Sequence, residues 1–257
     1  MMTDIKPENK PIDFGNWVPL KMIVVPAILG LACLGAGLRW WPLLIPAALF
    51  CAIAVYFAVA RWLFSARGGN VQDRILELLL EHLPADAVGK VLDIGCGNGA
   101  LAIKAAQRFP KAAVTGVDFW GKSWDYSIKV CEGNAAACGL SGRVDFRQGS
   151  AASLPFADGS FDLVISNLVF HEVRDAADKR EPLREALRVL KPGGVFVLQD
   201  LFLLEPYFGT PQELQDTLRG WGAGRVEFIR TCDREFIPKW VKLPFMVGTL
   251  AILRGER

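Results

Sequence analysis

The stretch VLDIGCGNGALA, residues 91–102, sets Asp93 ahead of glycines at 95, 97 and 99. An apolar run before them and a helix-forming run after them make this a strand, a tight loop and a helix. Glycine lets loop backbone N–H groups approach a ligand without a Cβ in the way. Gly95, Gly97 and Ala100 also satisfy the G-x-G-x-x-G/A spacing of a nicotinamide dinucleotide loop. Asp93 argues for a different ligand. A carboxylate at the mouth of the loop repels a pyrophosphate and attracts an ammonium group. S-adenosylmethionine carries an ammonium and a sulfonium, and no phosphate.

Asp118 ends the run AVTGVD, where a carboxylate can accept hydrogen bonds from both hydroxyls of a ribose. Farther along, SNLVFHEVRD offers His171 and Glu172. Methyl transfer from a sulfonium is an in-line displacement for which a protein mainly supplies alignment. A base is needed when the nucleophile must lose a proton, and an imidazole suits that task at neutral pH. His171 is the first candidate for it and Glu172 the second; the bland alternative is a histidine bonded to backbone in a turn. His82, at the end of a helix where a cation complements the dipole, reads as structural.

These residues need a scaffold of alternating strands and helices. Strand-like runs begin at Lys90, Ala113, Arg143, Phe161, Gly194, Val226 and Gly248, with helical runs such as ALAIKAAQRF, YSIKVCEGNAAACGL and EPLREALRVL between them. Such alternation predicts an α/β fold with parallel strands and helices on both faces. No convincing helix separates the last two strands, so an antiparallel end to the sheet is expected. A preceding helix, VQDRILELLLEHL, places Val71, Ile75, Leu78 and Leu79 on one face.

Taken in order, VLDIGCGNG, VTGVD, LPFADGSFDLVISN and LRVLKPGGVFVLQD resemble the successive motifs of class I S-adenosylmethionine-dependent methyltransferases. The branch they resemble most includes ubiquinone and menaquinone biosynthesis enzymes and many small-molecule enzymes. The resemblance spans residues 71 to 255 and implies a Rossmann-like, doubly wound, seven-stranded sheet whose last strand is antiparallel. It implies that Asp93, Gly95, Gly97 and Gly99 hold the methionine end of S-adenosyl-L-methionine, that Asp118 holds the ribose and that Phe119 flanks the adenine. Many relatives carry an acid against the adenine amino group where this chain has Ser150; its hydroxyl and the Ala151 backbone would have to serve. Asn167 is expected at the strand tip that faces the methyl group.

The first quarter of the chain is different. Over the whole sequence 52% of residues are hydrophobic, and the excess lies here. No charge falls between Lys21 and Arg39 or between Arg39 and Arg61. Each run approaches the roughly 20 residues that cross about 30 Å of hydrocarbon as a helix. GLRWWP between them suits a turn at a membrane surface. Trp40 and Trp41 at the turn, with Trp17 and Trp62 at the other ends, fit interfacial belts. Lys6, Lys10, Lys21, Arg61, Arg67 and Arg74 flank the pair against Arg39 alone in the turn, which puts both termini in the cytoplasm. The competing readings are a signal peptide and a buried helical pair interrupted by Pro26 and Pro46. The expected organisation is a cytoplasmic segment over 1–20, a transmembrane hairpin over 21–64, a linker over 65–70 and a methyltransferase domain over 71–257.

Two aromatic stretches could form a lip on lipid headgroups: Trp120, Trp124 and Tyr126, and Phe236, Trp240, Phe245 and Met246 interleaved with Lys239 and Lys242. The equal alternative is that they cover the sheet edge and the cofactor. A net charge of +2 does not argue for nucleic acid. Six cysteines without a CxxC pair indicate neither a metal site nor a disulfide framework. The sequence therefore predicts a methyltransferase of the cell membrane, multi-pass, with its catalytic domain cytoplasmic and a lipophilic or lipid acceptor. A non-catalytic S-adenosylmethionine-binding membrane partner and a nicotinamide-dependent oxidoreductase stay open as other classes.

Overall fold

A computed structural model describes residues 12–86, 89–121 and 126–257. Lys6, Lys10 and Trp124 lie outside the described residues. The chain divides into two compact units, one of residues 1–15 with 78–257 and one of residues 16–77.

In the second unit, helix α1 (Lys21–Gly37) and helix α2 (Leu44–Phe64) pack on each other across a single 3-10 turn at Trp41–Leu43. A Cβ on Gly30 would sit 2.8 Å from Cys51 Sγ, so the small residue sets the close approach of the two helices. Their outer faces are apolar and open: Leu31, Ile45 and Val55 are at least 60% exposed, as are Trp40, Trp41 and Trp62. Among the described residues one helical stretch, Trp41–Phe64, is long and apolar enough to cross a membrane. The 17-residue α1 is apolar but falls short of that length, reaching only about 26 Å at 1.5 Å per residue. The expected pair of spans is thus met by one helix. Below α2, Asn16 Nδ2 donates to the Arg61 carbonyl at 3.0 Å and the Trp17 ring lies 6.1 Å from that of Phe64. Helix α3 (Val71–Glu81) crosses the boundary between the units and buries Val71, Ile75, Leu78 and Leu79, the expected face.

The larger unit holds a seven-stranded sheet in the order β3-β2-β1-β4-β5-β7-β6. β1 (Lys90–Ile94), β2 (Ala113–Asp118), β3 (Val144–Gln148), β4 (Phe161–Asn167) and β5 (Leu190–Asp200) run parallel. β6 (Val226–Arg230) and β7 (Ala251–Glu256) close the sheet, with β7 antiparallel to both β5 and β6. Helices α4 (Ala100–Arg108), α5 (Ile128–Ala137), α6 (Glu181–Val189), α7 (Glu205–Phe208) and α8 (Pro211–Gly220) connect them. The order reverses beside β1, and an open α/β sheet binds ligands at such a switch point, beyond the carboxyl ends of its strands.

Two strand boundaries differ from expectation. β7 begins at Ala251 rather than Gly248, because Gly248 N–H is bonded to Leu243 O in a turn, and it continues through Arg254, Gly255 and Glu256. Pairing on both sides holds those polar residues extended where alternation gave no signal. β5 begins four residues early: Leu190 pairs with Phe161 and Val195 with Leu163, so residues 191–194 bulge from the ladder.

Candidate active site

β1 is central, paired to β2 and β4, and its carboxyl end opens into the glycine loop. Gly95 and Cys96 N–H donate to Val117 O at 2.7 and 3.1 Å, and Gly97 N–H donates to Asp118 Oδ2 at 2.9 Å. Gly95, Gly97 and Gly99 all take left-handed φ, +70°, +56° and +83°. At Gly95 the requirement is double, since a Cβ there would also lie 2.1 Å from Val169. Gly99 caps α4, whose first-turn N–H groups form the far side of the loop.

Asp93 is 1% exposed, and neither carboxylate oxygen has a hydrogen-bond partner among the described residues. Burial, with a smaller push from the Asp118 charge, raises its pKa well above the usual carboxylate range; the nearby Ala102 N–H offsets part of this without reaching bonding geometry. A buried carboxylate with nothing on it is costly, and a cationic ligand relieves that cost. The residue fits the ammonium end of S-adenosylmethionine and does not fit a pyrophosphate.

Asp118, the last residue of β2, accepts from Gly97 N–H on Oδ2 and from Trp120 N–H on Oδ1 at 2.8 Å. Burial raises its pKa, against the lowering effect of those backbone donors. Each oxygen keeps a second lone pair, which is what two ribose hydroxyls need. Trp120 turns its indole back to donate to Gly97 O at 2.9 Å, so this ring belongs to the cofactor loop. Phe119 is 64% exposed, its carbonyl held by Gln148 Nε2 at 3.0 Å. Just beyond β3, the Ser150 hydroxyl accepts from Ala152 N–H and donates to Asp175 Oδ2 at 2.5 Å. Ser150 thereby brings a carboxylate from another loop to its own position. Ala151, half-buried, sits between.

β4 ends at Asn167, after which Leu168 (φ +58°) turns the chain into a 3-10 turn, Phe170–Glu172. The Phe170 ring is fully buried, stacked 6.3 Å from Phe202, and pins this turn. Asp200, the last residue of β5 and fully buried, organises it. Its Oδ2 accepts from Val169 and Phe170 N–H at 2.9 and 2.6 Å; its Oδ1 accepts from Leu201 N–H at 2.6 Å and from His171 Nδ1 at 2.5 Å. Burial by itself lowers the pKa of His171, but the Asp200 charge and hydrogen bond outweigh it and raise the imidazole above its usual range. With its proton on Nδ1, the neutral ring presents a basic Nε2. Glu172 Oε1 is 3.8 Å from that nitrogen, on a side chain that is 43% exposed. Val169, the residue against Gly95, precedes His171 by two, so the turn adjoins the loop.

The structure thus brings Gly95, Gly97, Asp118, Ser150 and His171 to one edge of the sheet. Sequence reasoning missed Asp200, although an acid ending a predicted strand is the signal that marked Asp118. It also missed Gln199, which is paired with Asn167 across the ladder. The Asn167 Oδ1 and both amide atoms of Gln199 are buried without a hydrogen-bond partner among the described residues, a polar spot at the strand tips. His82, which reads as structural, has its Nε2 buried without a partner, and burial lowers its pKa.

A family profile described as "Methyltransferase domain" matches residues 85–232, more than half of the chain. The ubiquinone/menaquinone biosynthesis C-methyltransferase of Geotalea daltonii is 32% identical over 125 residues, 48% of this chain and 47% of that one. The 27-O-demethylrifamycin SV methyltransferase of Amycolatopsis mediterranei is 36% identical over 133 residues, 52% of this chain and 46% of that one. The chain therefore spans about half the length of the curated relatives it matches. A crystal structure of geranyl diphosphate C-methyltransferase from Streptomyces coelicolor, in complex with S-adenosyl-L-homocysteine, shares the fold at a TM-score of 0.56 and 16% identity, covering 75% of this chain and 81% of that one. The chain belongs to the family of S-adenosyl-L-methionine-dependent methyltransferase domains. That membership, with the buried charge of Asp93, removes the nicotinamide reading.

Proposed function

We propose that this chain is a membrane-anchored methyltransferase whose acceptor is lipophilic and gives up a proton as it is methylated. When bound, S-adenosyl-L-methionine supplies an electrophilic methyl group on a sulfonium. Asp93 and the loop from Gly95 to Gly99 hold the methionine end, Asp118 the ribose, and Phe119, Ser150 and Ala151 the adenine, with Asn167 at the neighbouring strand tip. His171 takes the acceptor's proton on Nε2 while Asp200 holds the ring and stabilises the imidazolium. Glu172 assists from the rim.

The observation that carries this reading is the His171–Asp200 pair beside the glycine loop. A binding protein without turnover has no use for a buried carboxylate that fixes one imidazole tautomer. A carbon or oxygen acid such as a quinol-like ring needs such a base, and the Geotalea relative, named as a ubiquinone/menaquinone biosynthesis C-methyltransferase, is in keeping with this.

The exposed apolar faces of α1 and α2 support the anchor, with α2 as the crossing helix and α1 against it. Anchoring keeps a lipid-borne acceptor at high effective concentration. The arginines at 61, 67 and 74 favour a cytoplasmic catalytic domain in the cell membrane. Methyl-labelled S-adenosylmethionine, supplied with organic and aqueous fractions of a membrane extract, tests the acceptor class. Label entering only the organic fraction supports the reading, and label confined to water-soluble product contradicts it.

A further inference from the structure

Asp13 and Gly15 of the larger unit reach its cofactor loop through Asn134 and Tyr126. Asn134, on α5 and 3% exposed, makes three hydrogen bonds with one amide. Its Oδ1 accepts from Asp13 N–H at 3.0 Å, and its Nδ2 donates to Asp13 O at 2.8 Å and to Asn98 O at 2.9 Å. The orientation of the amide is dictated, because only the NH2 end can satisfy two carbonyls.

Asn98 lies in the glycine loop between Gly97 and Gly99, itself 3% exposed, and its Oδ1 accepts from Ser127 N–H at 3.2 Å. A second contact runs in parallel. Gly15 (φ +74°) and Gly97 both abut the Tyr126 ring: a Cβ on Gly15 would meet it at 2.8 Å and one on Gly97 at 3.3 Å. The ring is therefore shared between strap and loop. The strap is shaped for this fit, Asp13 Oδ1 accepting from Gly15 N–H at 2.9 Å.

We propose that Asn134 is a positioning residue for the cofactor loop, latching the strap Asp13–Gly15 onto Asn98 so that S-adenosyl-L-methionine binds tightly only while the strap is docked. The inference rests on the cofactor reading above. The physical reason is preorganisation. Three left-handed glycines in five residues make a loop that is expensive to order, and whatever orders it before the ligand arrives removes that cost from binding. By linkage the effect is reciprocal, so the bound cofactor tightens the strap. The chain continues from Gly15 into Asn16, the first residue of the apolar unit.

Two variants of the full-length protein in detergent test this, with calorimetric titration of S-adenosyl-L-methionine and hydrogen exchange as readouts. Asn134→Asp keeps the shape and the acceptor for Asp13 N–H but turns an oxygen toward both carbonyls. Gly15→Ala displaces the strap at an exposed residue without touching α5. Each is expected to weaken binding about tenfold, the loss of a hydrogen bond or two. The double variant should lose little more than the worse single one, and both should melt close to the parent. In the parent, added cofactor should slow exchange at the Asp13 and Gly15 amides. Folded variants that bind within twofold of the parent, with strap exchange indifferent to the cofactor, overturn the latch alone. A parent that binds no S-adenosyl-L-methionine overturns the cofactor reading and the latch with it.

Discussion

His171 Nδ1 lies 2.5 Å from Oδ1 of the fully buried Asp200, whose other oxygen takes the backbone N–H groups of Val169 and Phe170. One carboxylate therefore fixes both the turn that carries the imidazole and the proton on its inner nitrogen. The arrangement leaves Nε2 as the working atom.

Replacing that carboxylate by an amide, Asp200→Asn, keeps the volume and removes the charge. Turnover should fall about 10²- to 10⁴-fold, the range for losing a positioned base or its orienting partner. Affinity for S-adenosyl-L-methionine, measured by calorimetry, should hold within about twofold if Asp200 acts through His171. An equal loss in both quantities would show that Asp200 only supports the fold.

The raised pKa of His171 sets the pH dependence. The base works when neutral, so the rising limb of the rate profile should lie above the ordinary imidazole value of about 6.5, and in Asp200→Asn it should move back down. For stability the sign is opposite. A folded pKa above the unfolded one contributes stabilisation that is complete below about pH 6.5 and is lost as pH rises through the raised value. A parent profile that rises below 6.5 would count against the pairing.

Asp93 makes a two-sided prediction. Asp93→Asn removes a buried carboxyl whose charged form has no partner, so the ligand-free protein should melt higher above the raised Asp93 pKa, where that carboxyl is ionised. It also removes the partner of a bound ammonium, a loss of about 3–5 kcal/mol for one half of a buried pair, so cofactor affinity should collapse. In the parent, affinity should rise with pH as the raised Asp93 pKa is passed, and binding should release a proton, seen as buffer-dependent heats. Unchanged affinity in the variant would mean that Asp93 does not meet the ammonium.

Ser150 and Asp175 form a pair at the position proposed to meet the adenine. Asp175→Asn and Ser150→Ala should each raise the cofactor Kd by about three- to tenfold, the scale of one charge-assisted hydrogen bond that is partly exposed. Ser150→Asp should bind as well as the parent or better. If it binds worse than Ser150→Ala, no carboxylate is wanted there.

The anchor is tested on α2. Leu49 and Val55 are exposed apolar residues in the body of α2, and a lysine near the centre of a span, as in Val55→Lys combined with Leu49→Lys, costs about 2.5–3.5 kcal/mol. The double variant should shift the protein from the membrane pellet toward the soluble fraction after carbonate extraction. Unchanged pelleting would place the membrane contact elsewhere.

Much of this was legible in the sequence for particular reasons. The glycine loop, Asp118 and His171 announce themselves because they sit at strand ends bounded by strong apolar runs. Parallel strands followed from alternation, and the antiparallel edge from the missing helix before β7. Asp200 was not recognised because its role depends on β5 lying next to β4, a fact of topology. Asp175 is a surface acid until the fold brings it to Ser150. The strap could not be read at all, since the Asn134 amide bonds only backbone groups of Asp13, which leave no mark on residue type. The first apolar run looked like a span because charge-free length does not reveal where a helix begins and ends; α1 stops at Gly37, ahead of the turn.

The most direct measurement is a single-turnover reaction with methyl-labelled S-adenosyl-L-methionine and membrane lipid extract, comparing the parent with His171→Ala at equal cofactor occupancy. The account predicts label in a lipid product and a matching yield of S-adenosyl-L-homocysteine from the parent, and at least a hundredfold slower transfer from the variant, about the least a positioned base contributes. Equal transfer by both proteins would contradict His171 as the base. Full occupancy without any transfer by the parent would contradict methyl transfer to a lipid acceptor.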